Sequence, residues 1–171
     1  TDSNHKFNIA PNLLDRDFAA EQPNQKWAGD ISYVWTCEGW LYLAVILDLH
    51  SRRIIGWAVS NRMKRDLAIR ALKMAIAFRS PPKGCIHHTD RGSQYCSHDY
   101  QKILRQHGFK VSMSGKGNCY DRLRGPSLNT STAYTTHAAV TQHWAGKAPS
   151  LSKGKWLKRA LGTALKLDRS S

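Results

Sequence analysis

Residues 40–48, Trp-Leu-Tyr-Leu-Ala-Val-Ile-Leu-Asp, carry one charged side chain in nine positions. A continuous apolar run of this length, bounded by turn residues, reads as a strand covered on both faces. It is too short to span a membrane, and Asp48 closes it. Such a strand needs neighbours, and the flanking text supplies them. Residues 26–36 are rich in β-branched and aromatic side chains (Ile31, Tyr33, Val34, Trp35, Thr36), Cys37-Glu38-Gly39 forms a turn, and Ser51-Arg52-Arg53 turns the chain again before a third strand at 54–60. Three strands joined by tight turns predict an antiparallel meander.

The period then changes. Leu67, Ala71, Met74, Ala75 and Phe78 recur at helical spacing, with Asp66 as the expected N-cap and Pro81-Pro82 as the stop. A short fourth strand is expected at 85–89, a loop at 91–94, a helix from Ser97 or His98 to His107 stopped by Gly108, and a fifth strand at 109–113. Three strands, helix, strand, helix, strand is the order of a mixed α/β sheet with helices on its faces. Residues 1–24 are polar, punctuated by Pro11 and Pro23, and read as a linker arm with a short helical turn near 13–18. From residue 122 onward no period is sustained, and residues 122–171 are expected to form a disordered basic tail.

The 171 residues carry a net charge of +14, which points to an anionic partner, nucleic acid foremost. Residues 122–171 hold nine Lys/Arg against the single acid Asp168, so the tail is the more basic part. Four cysteines without a CxxC pair are too sparse for a disulfide framework and suit a reducing, cytoplasmic setting. Cys85, His87, His88, Cys96 and His98 match none of the common structural zinc spacings. No nucleotide-cradling glycine loop or nucleophile elbow suggests a small-molecule enzyme. The first residue is Thr, not Met, as expected of a fragment of a longer chain.

Two aspartates stand out. Asp30 lies inside the first strand between apolar neighbours, where a carboxylate is costly unless its charge is offset by a metal ion or by a paired Arg or Lys. Asp90 ends the fourth strand, before a glycine-bearing loop with room for a phosphate backbone; a turn-capping Asp has the same local sequence. Their flanks are more specific: Pro11-Asn12-Leu13-Leu14-Asp15-Arg16-Asp17-Phe18, Gln25-Lys26-Trp27 before Asp30-Ile31-Ser32-Tyr33, the long strand 39–49 with Ser51-Arg52-Arg53, Ile55-Gly56-Trp57, His87-His88 before Asp90-Arg91-Gly92-Ser93-Gln94-Tyr95, and Ser112-Met113-Ser114 before Lys116-Gly117-Asn118-Cys119-Tyr120-Asp121. Together, over residues 11–121, this text resembles the retroviral-integrase-like catalytic core encoded by the second open reading frame of bacterial insertion sequences.

The resemblance implies a ribonuclease-H-like mixed five-stranded sheet over residues 25–121, incomplete at its C-terminus. It implies a bacterial, cytoplasmic transposase core that cleaves DNA and joins the freed 3′-hydroxyl to a target strand, with Mg²⁺ or Mn²⁺ held by three carboxylates. Asp30 and Asp90 match the first two. Arg91, Gln94, Lys116 and Asn118, polar donors in nearby loops, are the expected DNA contacts. DNA and further copies of the chain, or an intact transposase in mixed oligomers, are the implied partners; no membrane is.

The third acid is missing. The family pattern continues beyond the residue matching Asp121 with Asn-Ala-x-x-Glu, whereas this chain reads Arg122-Leu123-Arg124-Gly125-Pro126, and its only glutamates, Glu21 and Glu38, lie far upstream. An out-of-frame reading of an intact gene would leave such an edge. Asp48, Asp99 and Asp121 are the other acids to weigh as substitutes. The expected function is therefore an impaired strand-transfer core; a non-catalytic DNA-binding remnant that regulates an intact transposase is the alternative.

Overall fold

A computed structural model describes residues 9–15 and 17–114. Strands β1 (Lys26–Thr36), β2 (Gly39–Asp48) and β3 (Arg53–Ser60) form the antiparallel meander expected from their sequence. The β1–β2 turn is tight because Thr36 pairs with Gly39, whose φ of 97° is open to glycine without strain. Thr36 Oγ1 donates to the Gly39 carbonyl at 2.7 Å and closes it. Strands β4 (Ile86–Thr89) and β5 (Lys110–Met113) join in parallel, giving one five-stranded mixed sheet in the order β3-β2-β1-β4-β5. The apolar strand β2 is interior to the sheet, as its composition requires.

Its two faces bury two clusters. On one, Trp27, Ala44, Ile46, Ile55 and Ala58 meet Leu67, Ala71, Leu72 and Ala75 of helix α1 (Arg65–Arg79), together with Tyr95, Tyr100, Leu104 and Phe109. Strand and helix approach closely: a Cβ at Gly56 would stand 2.7 Å from the Ala75 Cβ, so only glycine fits there. On the other face Ala28, Leu47 and Leu49 pack with Leu14 and Phe18 of the N-terminal arm. The arm is tied to β5, since Leu13 N donates to Ser112 Oγ at 2.9 Å and Met113 N to the Pro11 carbonyl at 3.3 Å.

Three local expectations are corrected. Near 13–18 the described residues form a bend and one hydrogen-bonded turn, Asp17 N donating to the Leu14 carbonyl at 2.7 Å, rather than helix, and Asn12 Oδ1 accepts from Leu14 N and Asp15 N. Asp66 is not the N-cap of α1; Lys64 is, and Asp66 stands in the first turn paired with Arg70 at 3.6 Å. The loop expected at 91–94 instead enters a short helix, α2 (Ser93–Cys96), before helix α3 (His98–Gln106). Gly92 caps α2 by accepting from Tyr95 N and Cys96 N. The basic tail lies outside the described residues.

Candidate active site

Asp30 sits half-buried in β1, opposite Val45 of β2. On its other side β1 runs parallel to β4, with Lys26, Trp27 and Ala28 level with Ile86, His87 and His88. Two residues further along both chains come Asp30 and Asp90, the latter the first residue beyond β4. Gly29, just before Asp30, makes the approach close: a Cβ there would stand 3.2 Å from His87 Cε1, Ile46 Cδ1 and Thr89 Cγ2. Asp90 also caps the next turn, accepting from Gly92 N at 2.8 Å through Oδ1. The capping reading of Asp90 is therefore met in the structure.

The Tyr95 phenol senses both acids. Burial pushes its pKa well above the usual tyrosine value, and the charges of Tyr100, Asp30 and Asp90 push it the same way. Both carboxylates therefore act electrostatically on one buried hydroxyl, which has no hydrogen-bond partner among the described residues. Beneath the acids lies a histidine pair with alternating directions. His87 Nε2 and Tyr100 Oη hydrogen-bond at 2.7 Å on the α1 side, and His88 Nδ1 and Ser112 Oγ at 2.8 Å on the arm side. Complete burial, then the neighbouring His88, pull the His87 pKa down to about 3, so its imidazole is neutral. Sequence reading did not assign the two histidines this structural role; their adjacency in a period-2 strand was the available signal.

The other expected residues separate. Arg91 donates from Nε to the Ser114 carbonyl at 2.7 Å, joining the turn after Asp90 to the end of β5. Gln94 is buried in α2, and its Oε1 has no partner among the described residues. Lys116, Asn118 and Asp121 lie outside the described residues. Cys85 and Cys96 are buried and His98 is exposed, and no group of three metal-ligating side chains occurs among the described residues.

Asp48 is committed elsewhere. It pairs across the sheet with Trp27, three positions from Asp30, is fully buried, and accepts from Ser51 Oγ at 2.7 Å and Asn24 N at 3.2 Å. Asp99 is exposed and faces Arg65 at 3.6 Å. Asp30 and Asp90 are the two acids that the β1–β4 pairing brings to the same end of the sheet among the described residues. Two hard carboxylate donors suit Mg²⁺ or Mn²⁺, which bind through one or two protein carboxylates and complete their shells with water and phosphate oxygens.

Comparison with known proteins gives the setting. Residues 20–119 match the integrase core domain, and the match ends before Asp121. The transposase InsF of insertion sequence IS3A from Escherichia coli (strain K12) is 57% identical over 117 residues, covering 68% of this chain and 41% of the relative. The insertion element IS600 uncharacterized 31 kDa protein of Shigella sonnei is 54% identical over 121 residues, covering 71% and 44%. The chain thus spans less than half the length of these relatives. Among solved structures, the HTLV-2 integrase catalytic core domain in complex with magnesium superposes with a TM-score of 0.59 at 20% identity, covering 86% of this chain and 87% of that one. A chain of a simian T-cell lymphotropic virus intasome gives 0.60 at 21%, covering 94% and 54%. At these identities the likeness is one of fold, that of retroviral integrase cores, which is ribonuclease-H-like. No described helix is long and apolar enough to cross a membrane. With its five-stranded sheet, its two aspartates at the β1–β4 junction and its kinship to insertion-sequence transposases, the chain belongs to the integrase core domain family.

Proposed function

We propose that this chain is the DNA cleavage and strand-transfer core of a bacterial insertion-sequence transposase, impaired because the third carboxylate is absent. The observation that supports the reading is the parallel pairing of β1 with β4, in which Ala28 is level with His88, two residues before Asp30 and Asp90 in their respective segments. In this reading Asp30 and Asp90 hold Mg²⁺ or Mn²⁺. When bound, the ions would supply Lewis-acid activation of the attacking oxygen and charge stabilisation at the scissile phosphate. The protein's part is placement. β1 fixes Asp30 from the centre of the sheet, the Gly92 amide holds Asp90 Oδ1, and the His87–Tyr100 hydrogen bond anchors β4, the strand that leads to Asp90. Arg91, Gln94, Lys116 and Asn118 remain the proposed DNA contacts, Gln94 requiring α2 to shift before its amide is reached.

Two acids without a third are expected to hold one ion weakly and to leave a second without an anchor. Mn²⁺ binding followed by electron paramagnetic resonance tests the site without relying on turnover. Asp90→Asn should weaken binding by about tenfold or more, since loss even of groups behind a metal ligand costs that much. Unchanged Mn²⁺ affinity would remove Asp90 from the site. The net charge of +14 and the missing acid together favour a second reading, a DNA-binding remnant that forms mixed oligomers with an intact transposase. Inhibition of an intact transposase in trans, with no joining by the chain itself, would establish that alternative.

A further inference from the structure

The β1–β2 hairpin runs past the rest of the sheet. β3 ends at Ser60, which pairs with Tyr42, and the β1 pairing with β4 stops at Ala28. At and beyond those limits the hairpin carries four aromatic rings in two facing pairs, Tyr33 with Tyr42 and Trp35 with Trp40. Ring centroids are 4.9 Å apart for Trp35 and Trp40, 5.3 Å for Tyr33 and Trp40, and 6.4 Å for Tyr33 and Tyr42. The cluster is nevertheless open to solvent: Tyr33 is 59% exposed, Trp35 51% and Trp40 45%. Three large rings this exposed are not needed to close a turn that Thr36 and Gly39 already close.

Cations border the rings. Tyr42 packs against the core cluster that α1 covers, so the aromatic face is the α1 face. Ser60, opposite Tyr42, accepts from Arg62 N at 3.1 Å, and the chain then runs through Lys64 to Arg65 at the start of α1. Arg62 and Lys64 are exposed, with no ion pair among the described residues, whereas Arg65 faces Asp99 at 3.6 Å. Glu38 on the hairpin turn and Asp66 in the first turn of α1 are acids of the same segments.

We infer that this hairpin is a stacking platform for unpaired DNA, with Tyr33, Trp35 and Trp40 receiving base faces and Arg62 and Lys64 meeting the phosphates. Base faces stack on exposed aromatic rings whatever the sequence, while flanking cations follow the backbone. A polyanion also fits this chain's charge, whereas two copies docking rim to rim would oppose like charges. The rings stand on the same strand as Asp30. Tyr33 is three residues away, about 10 Å along an extended backbone, and by the alternation of the strand it projects on the opposite face from Asp30, so the platform is a surface separate from the acids. The inference rests on the DNA reading above and extends it to a preference for unpaired nucleotides.

The test measures affinity of the full chain for a fluorescein-labelled dT oligonucleotide and for a duplex of the same length. Trp35→Ala and Trp40→Ala should each weaken single-strand binding about tenfold with little change for duplex, and Trp40→Phe should restore most of the loss. Arg62→Glu with Lys64→Glu should flatten the salt dependence of single-strand binding. Far-ultraviolet circular dichroism of each variant checks that the sheet persists, and the charge variants report even if a ring substitution unfolds the hairpin. Duplex binding by the parent, with single-strand affinity unmoved by either the ring or the charge variants, overturns the platform and leaves the DNA reading standing. A parent chain that binds neither DNA overturns both. A change in sedimentation coefficient on Trp40→Ala, with DNA affinity unchanged, would make the surface a contact between copies and overturn the platform.

Discussion

Asp30, Asp90 and Asp48 show how one residue type takes three roles in one sheet. Asp48 has its carboxylate bonded by Ser51 and Asn24, Asp90 caps the turn at Gly92, and Asp30 stands in mid-strand; the proposed site uses the last two. The sequence marked Asp30 and Asp90 through their flanks. It left open how close Asp48 lies to Asp30, because the β1–β2 register, which puts Asp48 opposite Trp27, is not readable from sequence. His87 gives the residue-scale prediction. Its folded pKa, about 3, lies below the ordinary histidine value of 6.5, so the unfolded chain binds the proton more readily between those limits. Stability from this group is complete above pH 6.5 and is lost as pH falls toward 3, with a slope of at most about 1.4 kcal/mol per pH unit. Urea unfolding from pH 7 to 4 should show that slope. His87→Gln should flatten it at some cost in stability at pH 7; an unchanged slope would mean that other groups govern acid unfolding.

At the scale of elements, most of the fold was legible because strand and helix periods differ. Five strands and two helices follow from alternation, from helical spacing in α1 and α3, and from the breaks at Gly39, Pro81-Pro82 and Gly108. What escaped was short or tertiary. The four residues of α2 are too few to show a period, and the arm's Leu14 and Phe18 looked like isolated apolar residues in polar text until the second face of the sheet was there to receive them. The contact between β3 and α1 is the element most sensitive to a small change. Gly56→Ala should force a methyl group into the Ala71–Ala75 backbone and destabilise the domain by about 1–3 kcal/mol. Equilibrium denaturation reads this directly, and a neutral result would mean that α1 sits further from the sheet than described.

For the whole molecule, charge and the missing acid set the expectations. DNA affinity should fall steeply with salt, because each Lys or Arg on a phosphate releases counterions. Removing residues 122–171 takes away nine Lys/Arg and one acid, and should weaken binding and flatten the slope of log affinity against log salt. Fluorescence anisotropy of labelled duplex from 50 to 300 mM salt, about the useful range, measures both; equal slopes for the two chains would show that the tail takes no part. The central claim, an integrase-type site short of one carboxylate, is tested most directly by a strand-transfer assay with Mg²⁺ and with Mn²⁺. The chain as written should join DNA at near background, and so should Pro126→Glu, since Gly125 and the Ser/Thr-rich text around it are poor helix formers. A chimera carrying a family-type Asn-Ala-x-x-Glu segment after Asp121 should regain metal-dependent joining, lost again on Asp90→Asn. Robust joining by the unaltered chain, abolished by Asp90→Asn, would show that another residue supplies the third carboxylate and would contradict the account.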